Sequence, residues 1–381
     1  MEVPCRAYVR IGAGFPRSVF SKKRQRGVFR LNQDQNNIPP VDRYARQIRF
    51  PAIGESGQAA LSESTALIVG CGALGSVIAN TLARAGVGHL KIVDRDFLEF
   101  SNLQRQVLYD EQDVKNGLPK AIAAANKLSK INSAIEVEPF VVDVDASNVE
   151  SLCEGVDVIL DGSDNFEIRF LLNDVAVKDS IPWVYGGCLG ADGQTMTVLP
   201  GETACLNCLM LDGPPPPGTS PTCDSFGILS PVINLIASLQ SIEAMKILSG
   251  NRASISRYLT VASLWESEIR QMDVSGLRDK VDCPTCRRAE FNWLSGDRES
   301  HSAVLCGRDA VQVSFPGRDQ ISLAQLAGRL ESLGRVEANE FLLRFHVDQY
   351  VLTVFPDGRA IISGTEDLSL ARKLYTQYLG S

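Results

Sequence analysis

Apolar positions from Val41 onward alternate between two rhythms. Short runs, "ALIVG" from Ala66, "HLKIVD" from His89, "IEVEPFVV" from Ile135, "VDVILDG" from Val156 and "IPWVYGG" from Ile181, read as strands. Between them, "LGSVIANTLARAGV", "LPKAIAAANKLSKI" and "NFEIRFLLNDVAVKD" carry apolar residues at helical spacing. Strands alternating with helices predict an α/β fold, a doubly wound Rossmann-like and mostly parallel sheet with its ligand at the carboxyl ends of the strands.

Past Gly190 the rhythm changes. "DGQTMTVLP" predicts an antiparallel extension of the sheet, "DGPPPPGTSPTC" a mobile crossover loop, and Pro231 to Leu248 a core helix. A boundary falls near Leu294 to Ser302. Beyond it, "AVQVSF", "FLLRFHV", "YVLTVFPDG", "ISLAQLAGRLESL" and "LSLARKLYTQYL" predict a small α+β domain of three or four strands and two helices. Residues 1–40 lack either rhythm; "RSVFSKKRQRGVFRLNQDQNNIPP" is basic and then polar. It reads as a disordered extension or an over-extended gene start, with an organellar transit peptide as the alternative. The expected organisation is therefore an extension over 1–40, a large domain over 41–294 and a small one over 302–381.

Composition narrows the classes. A formal charge of −7 argues against nucleic acid as the main partner. The most apolar run, "ILSPVINLIASLQSIEAMKIL", is interrupted by Pro231, Asn234, Gln240, Glu243 and Lys246, so it predicts a core helix and no membrane span. Four of the ten cysteines form two C-x-x-C pairs, which points to a metal site in the reducing cytoplasm over a disulfide framework.

Five groups of residues carry candidate chemistry. Gly70, Gly72 and Gly75 match G-x-G-x-x-G, which brings a phosphate to a helix N-terminus, and Asp94 ends the next strand, where an acid accepts ribose hydroxyls. The alternative is a turn closed by glycines with no ligand. The polar stretch after Asp94 holds Asn102, Arg105, Gln106 and Lys120, a set suited to a triphosphate, or a solvated loop. "DGSDN" puts Asp161 and Asp164 at a strand end, fit for Mg²⁺ or for capping a helix. "CLNC" (Cys205, Cys208) and "CPTC" (Cys283, Cys286) predict one tetrahedral structural zinc site, with a redox pair as the alternative. Cys223 precedes a helix, whose dipole favours a thiolate; it is either a sulfur-handling nucleophile or an incidental loop cysteine. Cys5, Cys71, Cys153, Cys188 and Cys306 read as small hydrophobes or plain thiols.

Together these segments, with "RYARQIRFPAIGESGQAAL", "SNLQRQ", "GLPKA" and "SLQSIEAMKILSG", resemble the MoeB/ThiF/HesA family, prokaryotic relatives of ubiquitin-activating enzymes. The likeness runs in order from Arg43 to Cys286, about two-thirds of the chain. It implies ATP-dependent adenylation of the Gly-Gly carboxylate of a small ubiquitin-fold sulfur carrier, toward a thiocarboxylate for molybdopterin or thiamine synthesis. It assigns Asp94 to the ribose, Asn102, Arg105 and Lys120 to the phosphates, and Asp164 to Mg²⁺. Arg46 matches the arginine offered to the partner subunit's ATP, implying a homodimer. Cys223 matches a loop cysteine of variable role, and its neighbours Thr222 and Asp224 leave its reactivity open. No cysteine follows Cys306, so the sulfur donor is expected to be external rather than a built-in rhodanese, and "YLGS" at the end is not a fused carrier. Two other readings remain at this level: a non-catalytic zinc-stapled scaffold, and an NAD-dependent oxidoreductase resting on the glycine loop and Asp94.

Overall fold

Five of the apolar runs form the parallel part of an eight-stranded sheet in the computed structural model. The model describes residues 40–211, 213–214, 222–296, 302–305, 310–313 and 321–379. The expected extension, apart from Pro40, and most of the Pro/Gly-rich crossover loop lie outside these residues. The strands are β1 (Thr65–Val69), β2 (His89–Val93), β3 (Glu136–Phe140), β4 (Val158–Asp161), β5 (Trp183–Leu189), β6 (Asp192–Val198), β7 (Tyr258–Ser263) and β8 (Glu268–Asp273). Their order is β3-β2-β1-β4-β5-β6-β7-β8, parallel from β3 to β5 and antiparallel from there on.

Alternation along β1 explains the layers. Ala66 and Ile68 pack with helices Ala73–Ala85, Lys120–Ile131 and Ser230–Leu248 on one face. Leu67 and Val69 pack with Val149–Cys153 and Phe166–Asp179 on the other. The antiparallel β6 was expected; the β7–β8 hairpin was not. All six residues of β8 are exposed, so "EIRQMD" offers no buried face for a pattern to reveal. Among the described residues, no helix is long and apolar enough to cross a membrane.

Register fixes where the site lies. Val69 pairs with Val93 on one side and Asp161 on the other. The turns after these residues, at Gly70, Asp94 and Gly162, therefore open side by side. This is the point where the strand order reverses, the position at which open α/β sheets take ligands.

The C-terminal residues form a second, antiparallel sheet. Its strands are β9 (Ser302–Leu305), β10 (Ala310–Val313), β11 (Arg335–Ala338), β12 (Leu343–Val347), β13 (Tyr350–Val354) and β14 (Ala360–Ser363), in the order β11-β12-β13-β14-β10-β9. Helices Leu323–Leu330 and Leu368–Leu379 cover a core centred on Phe345, Leu352 and Tyr375. Six strands replace the three or four expected. The edge strand β11 alternates charged Arg335 and Glu337 with little buried surface, and β9 and β14 are four residues each, too short to carry a period.

Candidate active site

The glycine loop leaves no room for side chains at its ends. A Cβ on Gly75 would lie 1.8 Å from the Gly70 carbonyl oxygen, and Gly70 itself has φ of 86°. Gly72 differs: it caps helix Ala73–Ala85, and a Cβ there would come no nearer than 3.6 Å to Gln106 Nε2. Its open face is the one a phosphate would approach.

Asp94 is buried beside this loop. Its carboxylate accepts the Cys71 N–H at 2.6 Å and the Asp96 N–H at 2.7 Å. Burial pushes the Asp94 carboxyl above its usual range, against the pull of the Lys120 charge and those two donors. Lys120 is only 4% exposed, and its Nζ lies 2.9 Å from Asp96 Oδ2. The two segments are laced together: Phe97 bridges Pro119, and the Lys120 N–H donates to the Asp96 carbonyl at 2.9 Å. The buried Tyr109 hydroxyl donates to the carbonyls of Cys71 and Lys120 at 2.7 and 3.2 Å, tying the glycine loop to the lysine.

The next residues follow in a 3-10 turn, Phe100–Asn102. Asn102 is buried and accepts the Glu99 N–H at 3.0 Å, while Arg105 is half-buried and donates to the Ser101 carbonyl at 2.9 Å. The Gln106 N–H bonds to the Asn102 carbonyl, which brings this turn against Gly72.

The two carboxylates of "DGSDN" have different surroundings. Asp161 is fully buried, 3.3 Å from the Arg169 guanidinium, and accepts both the N–H and the hydroxyl of Ser163. It is committed to the fold. Asp164 is exposed, and Asn165 rather than an aspartate caps the helix Phe166–Asp179. Asp164 also lies within the field of Arg95, whose guanidinium donates to both Asp143 oxygens at 2.8 Å. Burial alone would weaken the Arg95 charge; Asp143, Asp96 and Asp164 more than offset it.

Arg46 stands exposed on helix Pro40–Ile48, which is fastened by the Asn132 Nδ2 donation to Tyr44 Oη at 2.7 Å and by Gln47 Nε2 to the Ala85 carbonyl at 2.8 Å. Cys223 is half-buried at the start of the one-turn helix Cys223–Phe226, with Sγ 3.5 Å from the Cys188 carbonyl oxygen. One turn supplies little dipole, so the expected thiolate-favouring helix is weaker than its position implied.

The four paired cysteines converge. Cys205 lies 3.8 Å from Cys208 and 3.5 Å from Cys283, Cys208 lies 3.3 Å from Cys286, and all four sulfurs fall within 4.8 Å of one another. A tetrahedron with metal–sulfur distances of about 2.3 Å has sulfurs about 3.8 Å apart, so the set fits one metal ion. Asn173 accepts the Leu206 N–H at 2.8 Å, and Asn207 and Asp174 hold Thr285 between the last two cysteines. Burial pushes Cys71, Cys153 and Cys188 each up to about 12, which keeps them protonated, as expected of plain thiols. Cys5 and Cys306 lie outside the described residues.

Residues 44–285 match the ThiF family. The chain belongs to that family. It is 44% identical over 339 residues to the sulfur carrier protein ThiS adenylyltransferase of Bacillus subtilis, covering 89% of this chain and 99% of that protein. A sulfur carrier protein adenylyltransferase of Thermus thermophilus is 36% identical over 251 residues, 65% of this chain and 90% of its own length. Among solved structures, E. coli MccB aligns with a TM-score of 0.53 at 22% identity, covering 64% of this chain and 71% of MccB, which supports the fold.

The sequence pattern singles out the glycines, Asp94, Asn102, Arg105, Gln106, Lys120 and Asp164, and they lie at or beyond the carboxyl ends of β1, β2 and β4. It passed over Asp96, Tyr109 and Arg95, which hold the named residues in place. The "DRD" spacing signalled Asp96; nothing signalled Tyr109.

Proposed function

We propose that this ThiF-family chain is an ATP-dependent adenylyltransferase acting on the C-terminal Gly-Gly carboxylate of a small ubiquitin-fold sulfur carrier, in thiamine or molybdopterin biosynthesis. One observation carries the reading: a buried lysine, Lys120, stands with Asp94 and Asp96 beside the open face of Gly72. The printed names of the Bacillus and Thermus relatives support the class of substrate.

In this reading Asp94 accepts the ribose hydroxyls, and Asn102, Arg105 and Lys120 hold the phosphates. Asp164 would hold Mg²⁺, which when bound neutralises the phosphate oxygens. The carrier carboxylate attacks the α-phosphorus, the bond to the bridging oxygen breaks, and its electron pair leaves with pyrophosphate. Charge grows on that oxygen in the transition state, and Lys120 and Arg105 stabilise it more than they stabilise bound ATP. No general base is needed, because the attacking carboxylate is already ionised at pH 7. The product is an acyl-adenylate; sulfide-level sulfur from an external donor then attacks its carbonyl carbon, the bond to the phosphate oxygen breaks, and AMP leaves the thiocarboxylate. Cys223 is available for a thiol role, and the four-cysteine cluster holds structural zinc. The chain works in the cytoplasm as a homodimer.

The test is carrier-dependent release of pyrophosphate from Mg·ATP. A second test addresses Arg46. If Arg46 reaches the partner's ATP, Arg46→Ala and Arg105→Ala chains are each inactive alone. Mixed with subunit exchange, they regain roughly a quarter of wild-type activity, since half the random dimers carry one intact site. No regain on mixing contradicts the shared site.

A further inference from the structure

One turn of the second sheet packs against the segment that follows Asp94. Phe355 to Arg359 is closed by the Phe355 N–H to the Arg359 carbonyl at 2.9 Å, and the Tyr375 hydroxyl fixes it by donating to the Gly358 carbonyl at 2.6 Å. Arg359 is 3% exposed, and its guanidinium lies 3.8 Å from the centroid of the Phe355 ring. Nη2 donates to the Arg95 carbonyl at 3.1 Å, and Phe355 itself packs 5.5 Å from Phe97, centroid to centroid.

These contacts land on the segment between Asp94 and Phe97. Two more land beside it. Gln312 Nε2 donates to Asp143 Oδ2 at 2.8 Å, the same carboxylate that holds Arg95. Asn339 Nδ2 donates to the Gly117 carbonyl at 3.4 Å, at the entrance to "GLPKA". Both strips of chain that frame Lys120 are therefore gripped from the second sheet.

Arg359 is costly as mere packing. Among the described residues its Nε and Nη1 have no hydrogen-bond partner, and its nearest acid, Asp357, is 3.6 Å from Nε. Burial weakens its charge, and the neighbouring Arg95 weakens it further, against the opposite pull of Asp357, Asp143 and Asp96. An apolar side chain would fill the same space without that penalty.

We propose that Arg359 is a positioning residue for the nucleotide site. It holds the Asp94–Phe97 segment, and through Asp96 the Lys120 ammonium, in the geometry that receives Mg·ATP. The second sheet is thus part of the ATP site and not an independent appendage. The inference rests on the proposed ATP-binding reading of that site.

The test is calorimetric binding of Mg·ATP to the full chain, wild type against Arg359→Met, Arg359→Lys and Gln312→Leu, with KM for ATP and for carrier in pyrophosphate exchange. Arg359→Met weakens ATP binding about tenfold, the effect of one lost charge-assisted hydrogen bond. KM for ATP rises alike and kcat falls with it, because the displaced Lys120 ammonium serves the transition state more than bound ATP, while KM for carrier stays within about threefold. Arg359→Lys restores most of the affinity. A purely architectural role would lower the melting temperature and leave the dissociation constant of the folded fraction unchanged, and that result overturns the inference. Should Arg359→Met fail to fold, Gln312→Leu decides by the same constants: weakened ATP binding supports the inference and unchanged binding overturns it. If wild type binds no Mg·ATP, the ATP reading itself has failed.

Discussion

Replacing Lys120 by methionine lowers carrier-dependent ATP–pyrophosphate exchange by about 10²–10³-fold, the range found when one preorganised donor to developing charge is removed. Two effects add. The ammonium no longer meets the charge that accumulates as pyrophosphate leaves. Its loss also takes from Asp96 a cation 2.9 Å away and removes the charge that opposes protonation of the buried Asp94. Methionine keeps the length and apolar stem of the side chain at a site only 4% exposed, so the fold is retained. Initial-rate exchange with saturating carrier checks this, alongside thermal unfolding to confirm the fold. A Lys120→Met enzyme with wild-type exchange would remove Lys120 from the mechanism.

Cys205→Ser destabilises the chain by several kcal/mol and empties the metal site. Binding of structural zinc is worth about 10–16 kcal/mol in small zinc-dependent folds, and a larger core here supplies stability of its own, so only part of that sum is lost. The burden falls on a defined region. Cys205 and Cys283 are buried in the cluster that also contains Leu206, Phe170 and Val274, and they tie the "CLNC" turn to a segment 78 residues later. Without metal, four thiols at sulfur separations of 3.3 to 3.8 Å have only weak hydrogen bonds to one another. Metal analysis and thermal unfolding provide the readout: about one zinc per wild-type chain, none in Cys205→Ser, and a melting temperature that falls by more than the few degrees of an ordinary surface change. An unchanged melting temperature in a metal-free variant would show that the cysteines do not staple the fold.

The parallel half of the sheet was legible because its strands are short apolar runs separated by amphipathic helices. That pattern implied a doubly wound sheet, and the strand order indeed reverses between β1 and β4. The cysteine pairs were legible because thiolate spacing is sparse and specific. The dinucleotide-like glycines were the least specific signal; the ATP reading rests on Lys120 and Asp164 in the proposed roles. What stayed hidden depends on contacts distant in sequence. Asp161 and Asp164 look alike in "DGSDN", yet Arg169 takes one and leaves the other exposed. Arg359 sits 264 positions from Arg95, and no local pattern announces that the turn around Phe355 closes on the nucleotide site. The β7–β8 hairpin escaped for the opposite reason, since β8 has no buried face to set a period.

Adenylation of a carrier carboxylate is tested most directly by isotope exchange. Wild-type chain, Mg·ATP and labelled pyrophosphate are incubated with each small ubiquitin-fold protein ending in Gly-Gly from the same genome. Label is expected in ATP with at least one carrier, with dependence on Mg²⁺ and loss of exchange when that carrier lacks its final glycine. Absence of exchange with every such carrier, in a chain that is folded and metal-loaded, would contradict it.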